Sequence, residues 1–171
     1  APSPGFTHCT PGITKAFLSL VPVIFFSSDM PINQGKKHGL TGVDQTALYQ
    51  SICKESFVVT KVSDNPSLRR RAFRVATSGR PAPVHIRVPI NIFGEEAAQP
   101  NMYPEPDYSA YPAHRPVADH GKIRAAIDAL LAAQRPAIVC GQGGLISQAS
   151  RAIRALALRV IGGRGGMVRS R

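Results

Sequence analysis

The chain has 171 residues, 43% of them hydrophobic with no tryptophan, and a formal net charge of +11. That length allows one domain with a sizeable core, or one domain and part of another. The longest apolar block, FLSLVPVIFF, is interrupted by a proline and falls short of the roughly 20 residues that span a bilayer, so no membrane partner is expected.

Lys and Arg number 4 in residues 1–60, 7 in 61–100 and 10 in 101–171, and no acid follows Arg151. Such an excess can mark a nucleic-acid partner. The closing RVIGGRGGMVRSR has neither helical nor strand period, so a solvated face and a basic tail are the preferred reading and nucleic acid is not the expected partner. The cysteines, Cys9, Cys53 and Cys140, are odd in number and far apart. They read as reduced thiols in a cytoplasmic setting, with no metal site. The opening APSPGFTHCTPG lacks the pattern of a signal peptide, and without an initiator Met the chain is expected to begin within a longer protein.

In chain order, TPGITKAFLSL reads as a loop entering a short helix. VPVIFFSS, residues 21–28, is an almost unbroken apolar run, as in a strand covered on both faces. A polar loop follows over 29–40. Residues 44–54 predict a helix with Ala47, Leu48 and Ile52 on one stripe, and FVVTKV, residues 57–62, a second strand. Asn65 is placed to cap the next helix and Pro66 to open it, while Leu68, Ala72, Val75 and Ala76 share its inner face. Arg69, Arg70 and Arg74 are expected in water. Gly79 sits where a left-handed C-cap belongs. Pro81 and Pro83 bar continuation, so the chain turns straight into PVHIRVP, a strand with Val84, Ile86 and Val88 on one side. This is an α/β pattern, a parallel sheet flanked by helices.

Residues 98–116 carry five prolines and three tyrosines, the composition of an extended linker. It would divide a first domain, 1–97, from a second, 117–171. Ile123, Ile127, Leu130 and Leu131 then predict an amphipathic helix. RPAIVCGQGG predicts a buried strand ending in a Gly-rich turn, and SQASRAIRALAL a helix, together the start of a Rossmann-like α/β domain. His38, His85 and His114 have no partners at ligand or triad spacing and are assigned no chemistry.

Four stretches carry a resemblance. TPGIT (10–14) is similar to the GPGAT turn of the thiamine-diphosphate-dependent 2-oxo-acid enzymes, especially the acetolactate synthase-like group. VPV (21–23) resembles their S-V-P-V strand entry, and LTGVDQTALYQSICK (40–54) their Phe-Gln-Glu to Thr-Lys segment. SGRPAPVHIRVP (78–89) resembles S-G-R-P-G-P-V-x-(I/L)-D-(V/I)-P, the most specific of the four. The resemblance extends over about residues 7–158. It implies the later part of a pyrimidine-binding domain, an incomplete thiamine-diphosphate-binding fold, joined to the start of a central domain. The parent would decarboxylate or carboligate a 2-oxo acid as a homo-oligomer.

It also implies cofactors and site residues. Pro11 and Gly12 match the turn that approaches the pyrimidine. Lys15 stands where the family has Asn, and Thr41 where it has Gln. Lys54 reads as a helix-end cation. Arg80 matches an Arg that contacts a flavin, and Gly141 and Gly143 allow a backbone to approach that FAD, unless close helix–strand packing is their reason. Ile90 replaces a frequent Lys. The family's catalytic Glu lies before the GPGAT turn, upstream of residue 1, and its Mg²⁺–diphosphate signature lies in a further domain. The resemblance therefore assigns this chain no catalytic residue and implies a piece that is inactive alone. The alternatives are a non-catalytic flavin- or nucleotide-binding module and, behind it, a basic nucleic-acid-binding protein.

Overall fold

The computed structural model describes residues 4–34, 42–96, 98 and 103–162, and they fall into two units, 1–114 and 115–171. In the first, a 3₁₀ turn at Gly5–Cys9 runs into α1 (Thr10–Leu18), then β1 (Ile24–Asp29), α2 (Gln45–Tyr49), β2 (Glu55–Val58), α3 (Asn65–Thr77) and β3 (Val84–Pro89). All pairing is parallel, in the order β1-β3-β2. This is the helix-flanked parallel sheet expected from the sequence. Ile24 and Glu55 both lie level with Val84, and Phe26 and Phe57 with Ile86. The last strand in sequence thus takes the centre, which its burial on both faces demands.

Alternation along β3 divides the interior in two. Val84, Ile86 and Val88 join Phe57, Val59, Ala72, Ala76 and Ile92 in one buried cluster, with Leu68 and Val75 packed against it. The small Ala72 and Ala76 let α3 lie close on the sheet. On the opposite face Phe6, Ile13, Tyr49 and Cys53 form a second cluster, joined by Phe25 and Ile52. The inner stripe foreseen for α3 is therefore present, as is the left-handed Gly79, with φ +57.

Several local expectations are corrected. The 44–54 helix ends at Tyr49, and its inner residues are Gln45 and Tyr49, one turn apart, while Leu48 stays exposed. Side-chain partners decide that face, and an apolar-only period overlooked them. β2 begins at Glu55, two residues early, because Lys54 N–H bonds Pro83 O at 2.7 Å and locks the register. β1 is not covered on both faces, since Phe26 is 44% exposed. Asn65 is the first helical residue after the N-cap Asp64, and its Oδ1 accepts from Arg69 Nε at 2.9 Å. Arg70 does not lie free in water: its guanidinium sits 4.0 Å from the centre of the Tyr103 ring.

In the second unit, α4 (His120–Ala132) is N-capped by Asp119, whose side chain accepts from Lys122 N–H. α5 (Gln142–Ile146) and α6 (Ser150–Gly162) follow. The strand expected at 136–140 does not form, and Val139 is 96% exposed. A strand needs a hydrogen-bonding neighbour, and among the described residues of this unit there is none.

Candidate functional site

In a parallel sheet all strands present their carboxyl ends on one side, where ligands are usually held. Here Ser28, Val88, Ile90 and Phe93 line a cleft of about 790 Å³ on that side, with Asn65 and Arg69 from α3. At the same strand ends Arg87 Nη1 pairs with Asp29 Oδ2 at 3.1 Å.

A buried polar chain runs through the sheet beside this pair. Gln45 Nε2 donates to Ser28 O at 2.8 Å, and Ser27 Oγ donates to Gln45 Oε1 in a very close contact. Ser27 has one proton, so toward His85 Nε2, 2.7 Å away, its oxygen accepts. Nε2 therefore carries hydrogen, and Nδ1 accepts from Ser56 Oγ at 2.8 Å. The imidazole is wholly buried, stacked on Phe25 and in contact with Tyr49, which also meets Phe25 edge-on. Burial first, then the Arg87 charge, press its pKa down to about 4, against an opposing pull from Asp29. His85 is neutral at physiological pH. It joins all three strands through Ser27 and Ser56 and does not line the cleft.

The sequence assigned His85 no chemistry, since Ser27 and Ser56 lie 58 and 29 positions away. The available signal was a histidine inside a strand whose neighbours are all core residues. His114 has only an edge contact with Tyr108, and His38 lies outside the described residues.

Pro11 and Gly12 form the exposed first turn of α1, with Lys15 one turn on. A Cβ at Gly12 would meet nothing within 4 Å. Thr41 lies outside the described residues. Arg80 is stacked on Phe17, 4.9 Å from the ring centre. Phe17 is six residues beyond Pro11, about 9 Å along the helix, so Pro11 and Arg80 occupy opposite ends of α1. Lys54 also lies away from the cleft, donating to Val75 O and Ser78 O at 2.6 and 2.5 Å. It caps the carboxyl end of α3 rather than of its own helix.

Gly141 and Gly143, in the second unit, have nothing within 4 Å of a built Cβ, so close packing is not their reason. Gly144 is the packed glycine, with Ile153 Cδ1 at 3.0 Å. Among the described residues no three His, Cys, Asp or Glu side chains converge as metal ligands. No helix among them is long and apolar enough to cross a membrane.

No protein-family model matches the chain. It is 30% identical over 159 residues to the acetolactate synthase large subunit of Haemophilus influenzae, covering 92% of this chain and 27% of that protein. It is 28% identical over 151 residues to the glyoxylate carboligase of Escherichia coli O157:H7, covering 88% and 24%. Its fold matches the crystal structure of benzoylformate decarboxylase from Polynucleobacter necessarius with a TM-score of 0.73, over 92% of this chain and 29% of that one, at 17% identity. The chain is homologous to part of the thiamine-diphosphate-dependent enzymes of the acetolactate synthase group. It spans about a quarter of the length of the curated relatives it matches, and the shared stretch takes in residues of both units.

Proposed function

We propose that this chain is a portion of a thiamine-diphosphate-dependent enzyme that decarboxylates or carboligates 2-oxo acids, and that it contributes one wall of the cofactor site. The observation that carries this reading is homology across 92% of the chain to an acetolactate synthase. Pro11, Gly12, Lys15 and Thr41 are the residues proposed to face the pyrimidine ring. Magnesium and the diphosphate are assigned to the part of the relatives beyond the shared quarter. When bound, thiamine diphosphate supplies the electron sink for loss of carbon dioxide. This chain's residues shape the wall and hold the sheet rigid through neutral His85. The working assembly is proposed to be a cytoplasmic homo-oligomer, a setting that suits three free thiols.

The test is a chimera in which this chain replaces the 159 matched residues of the Haemophilus influenzae relative. Thiamine-diphosphate-dependent release of carbon dioxide from pyruvate by the chimera, and none by the chain alone, is expected. A chimera that folds, assembles and still releases no carbon dioxide overturns the proposal. A second reading, flavin or nucleotide binding at the Gly141–Gly143 turn of the second unit, is favoured by the open space over both glycines. Purified protein carrying flavin absorbance would support it.

A further inference from the structure

Helix α2 has only five residues, yet two of its side chains, Gln45 and Tyr49, are wholly buried. They stand one turn apart on the same face and reach different elements. Gln45 bonds Ser27 and Ser28 at the end of β1. Tyr49 reaches back 43 positions, its phenol donating to Phe6 O at 2.7 Å. A phenol has one proton, so toward Thr10 Oγ1, 3.5 Å away, its oxygen accepts. One hydroxyl therefore meets both the 3₁₀ turn at Gly5–Cys9 and the first residue of α1.

The start of α1 depends on such an outside hold. Its N-cap, Cys9, makes no side-chain capping bond, so the first turn lacks the local tie that fixes many helix starts. Phe6 and Ile13 flank that turn in sequence and are buried, while Pro11 and Gly12 between them are exposed. Apolar burial is non-directional, whereas a hydrogen bond fixes a distance and an angle. The ring of Tyr49 is itself held, with Phe6 at 5.8 Å, Phe25 at 5.1 Å and His85 at 4.9 Å between centres. Its oxygen thus has a set place against the sheet.

We propose that Tyr49 is a positioning residue for the Pro11–Gly12 turn, its hydroxyl fixing where that turn stands against the sheet. This role rests on the reading of the turn as part of the cofactor wall. Tyr49 acts through Phe6 and Thr10, not on a reacting group.

Tyr49→Phe deletes the hydroxyl and keeps the ring among its neighbours. Hydrogen exchange on the full chain, followed by mass spectrometry, reads the turn without any cofactor. Peptides over residues 6–13 should exchange about three- to tenfold faster, the worth of one hydrogen bond, while those over β1 and β3 change less. Lys54→Met, a change at the far end of α3, should leave residues 6–13 at the parent's rate. In the chimera, Tyr49→Phe should raise the KM for thiamine diphosphate about three- to tenfold at unchanged kcat, because only the placing of a binding surface is disturbed.

Uniform acceleration along the chain would make Tyr49 an ordinary core residue and overturn the proposal, as would a Tyr49→Phe variant that does not fold. Equal acceleration of residues 6–13 by Lys54→Met would do the same. So would an active chimera whose KM for thiamine diphosphate is untouched by Tyr49→Phe, and the proposed function would then stand. A parent chimera without activity removes the proposed function instead, and the exchange rates alone then decide whether Tyr49 holds the turn.

Discussion

Nε2 of His85 lies 2.7 Å from Oγ of Ser27, and the side chains between them and Ser56 stitch three parallel strands through one neutral imidazole. In most small sheets apolar side chains fill that place. Here a titratable group does, with its pKa held near 4, and stability becomes pH-dependent as a result.

The unfolded chain takes up the His85 proton near pH 6.5, and the folded chain only near 4. Between those values the unfolded state binds more protons, so stability is fully present above 6.5 and falls as pH drops toward 4. The loss is about 3 kcal/mol. Urea unfolding followed from pH 8 to pH 3.5 should trace this decline. His85→Gln should flatten it and cost about 1–3 kcal/mol at pH 7, because buried hydroxyls lose their partner. A variant that keeps the parent's slope would assign the decline to other groups.

The three thiols differ in reactivity. Burial drives Cys53 up to about 12, whereas Cys9 and Cys140 are exposed. Ellman's reagent at pH 8 should therefore modify two thiols quickly and the third only on unfolding, since the thiolate is the nucleophile. Mass mapping that finds Cys53 among the fast pair would contradict this burial.

Lys54→Met keeps the aliphatic stem and removes the ammonium that bonds two terminal carbonyls of α3. A destabilisation of about 1 kcal/mol is expected, read as a lower denaturant midpoint at unchanged slope. Lys54→Arg should recover part of it. No loss in the Met variant would mean that water caps the helix equally well.

Gly79 ends α3 at φ +57 with no atom within 4 Å of a built Cβ. Conformation alone, without a clash, should then set the cost of Gly79→Ala, about 1–2 kcal/mol. A thermal scan finding the variant as stable as the parent would show that the turn relaxes to another geometry.

Local chemistry was legible in residue order. Pro66 and Gly79 bracket α3 because a fixed φ suits a helix start and a missing Cβ suits a left-handed end. Leu68, Ala72, Val75 and Ala76 declare its inner face, and the apolar run of β3 declares a covered strand. The TPGIT and SGRPAPVHIRVP stretches, which keep recognisable short-range order, carried the resemblance to thiamine-diphosphate enzymes.

What the residue order left open depends on partners far along the chain. Parallel pairing sets β3 between β1 and β2, and only then do Ser27, Ser56 and His85 meet. Lys54 reaches α3 by the same crossover, and Glu105 crosses 31 positions to Arg74. The 136–140 run looked like a strand because apolarity is local, yet a strand exists only with a neighbour to bond. Helix ends and turns obey forces within a few residues. A buried imidazole, a capped neighbouring helix and a Pro-rich segment tethered to α3 obey contacts that folding alone creates.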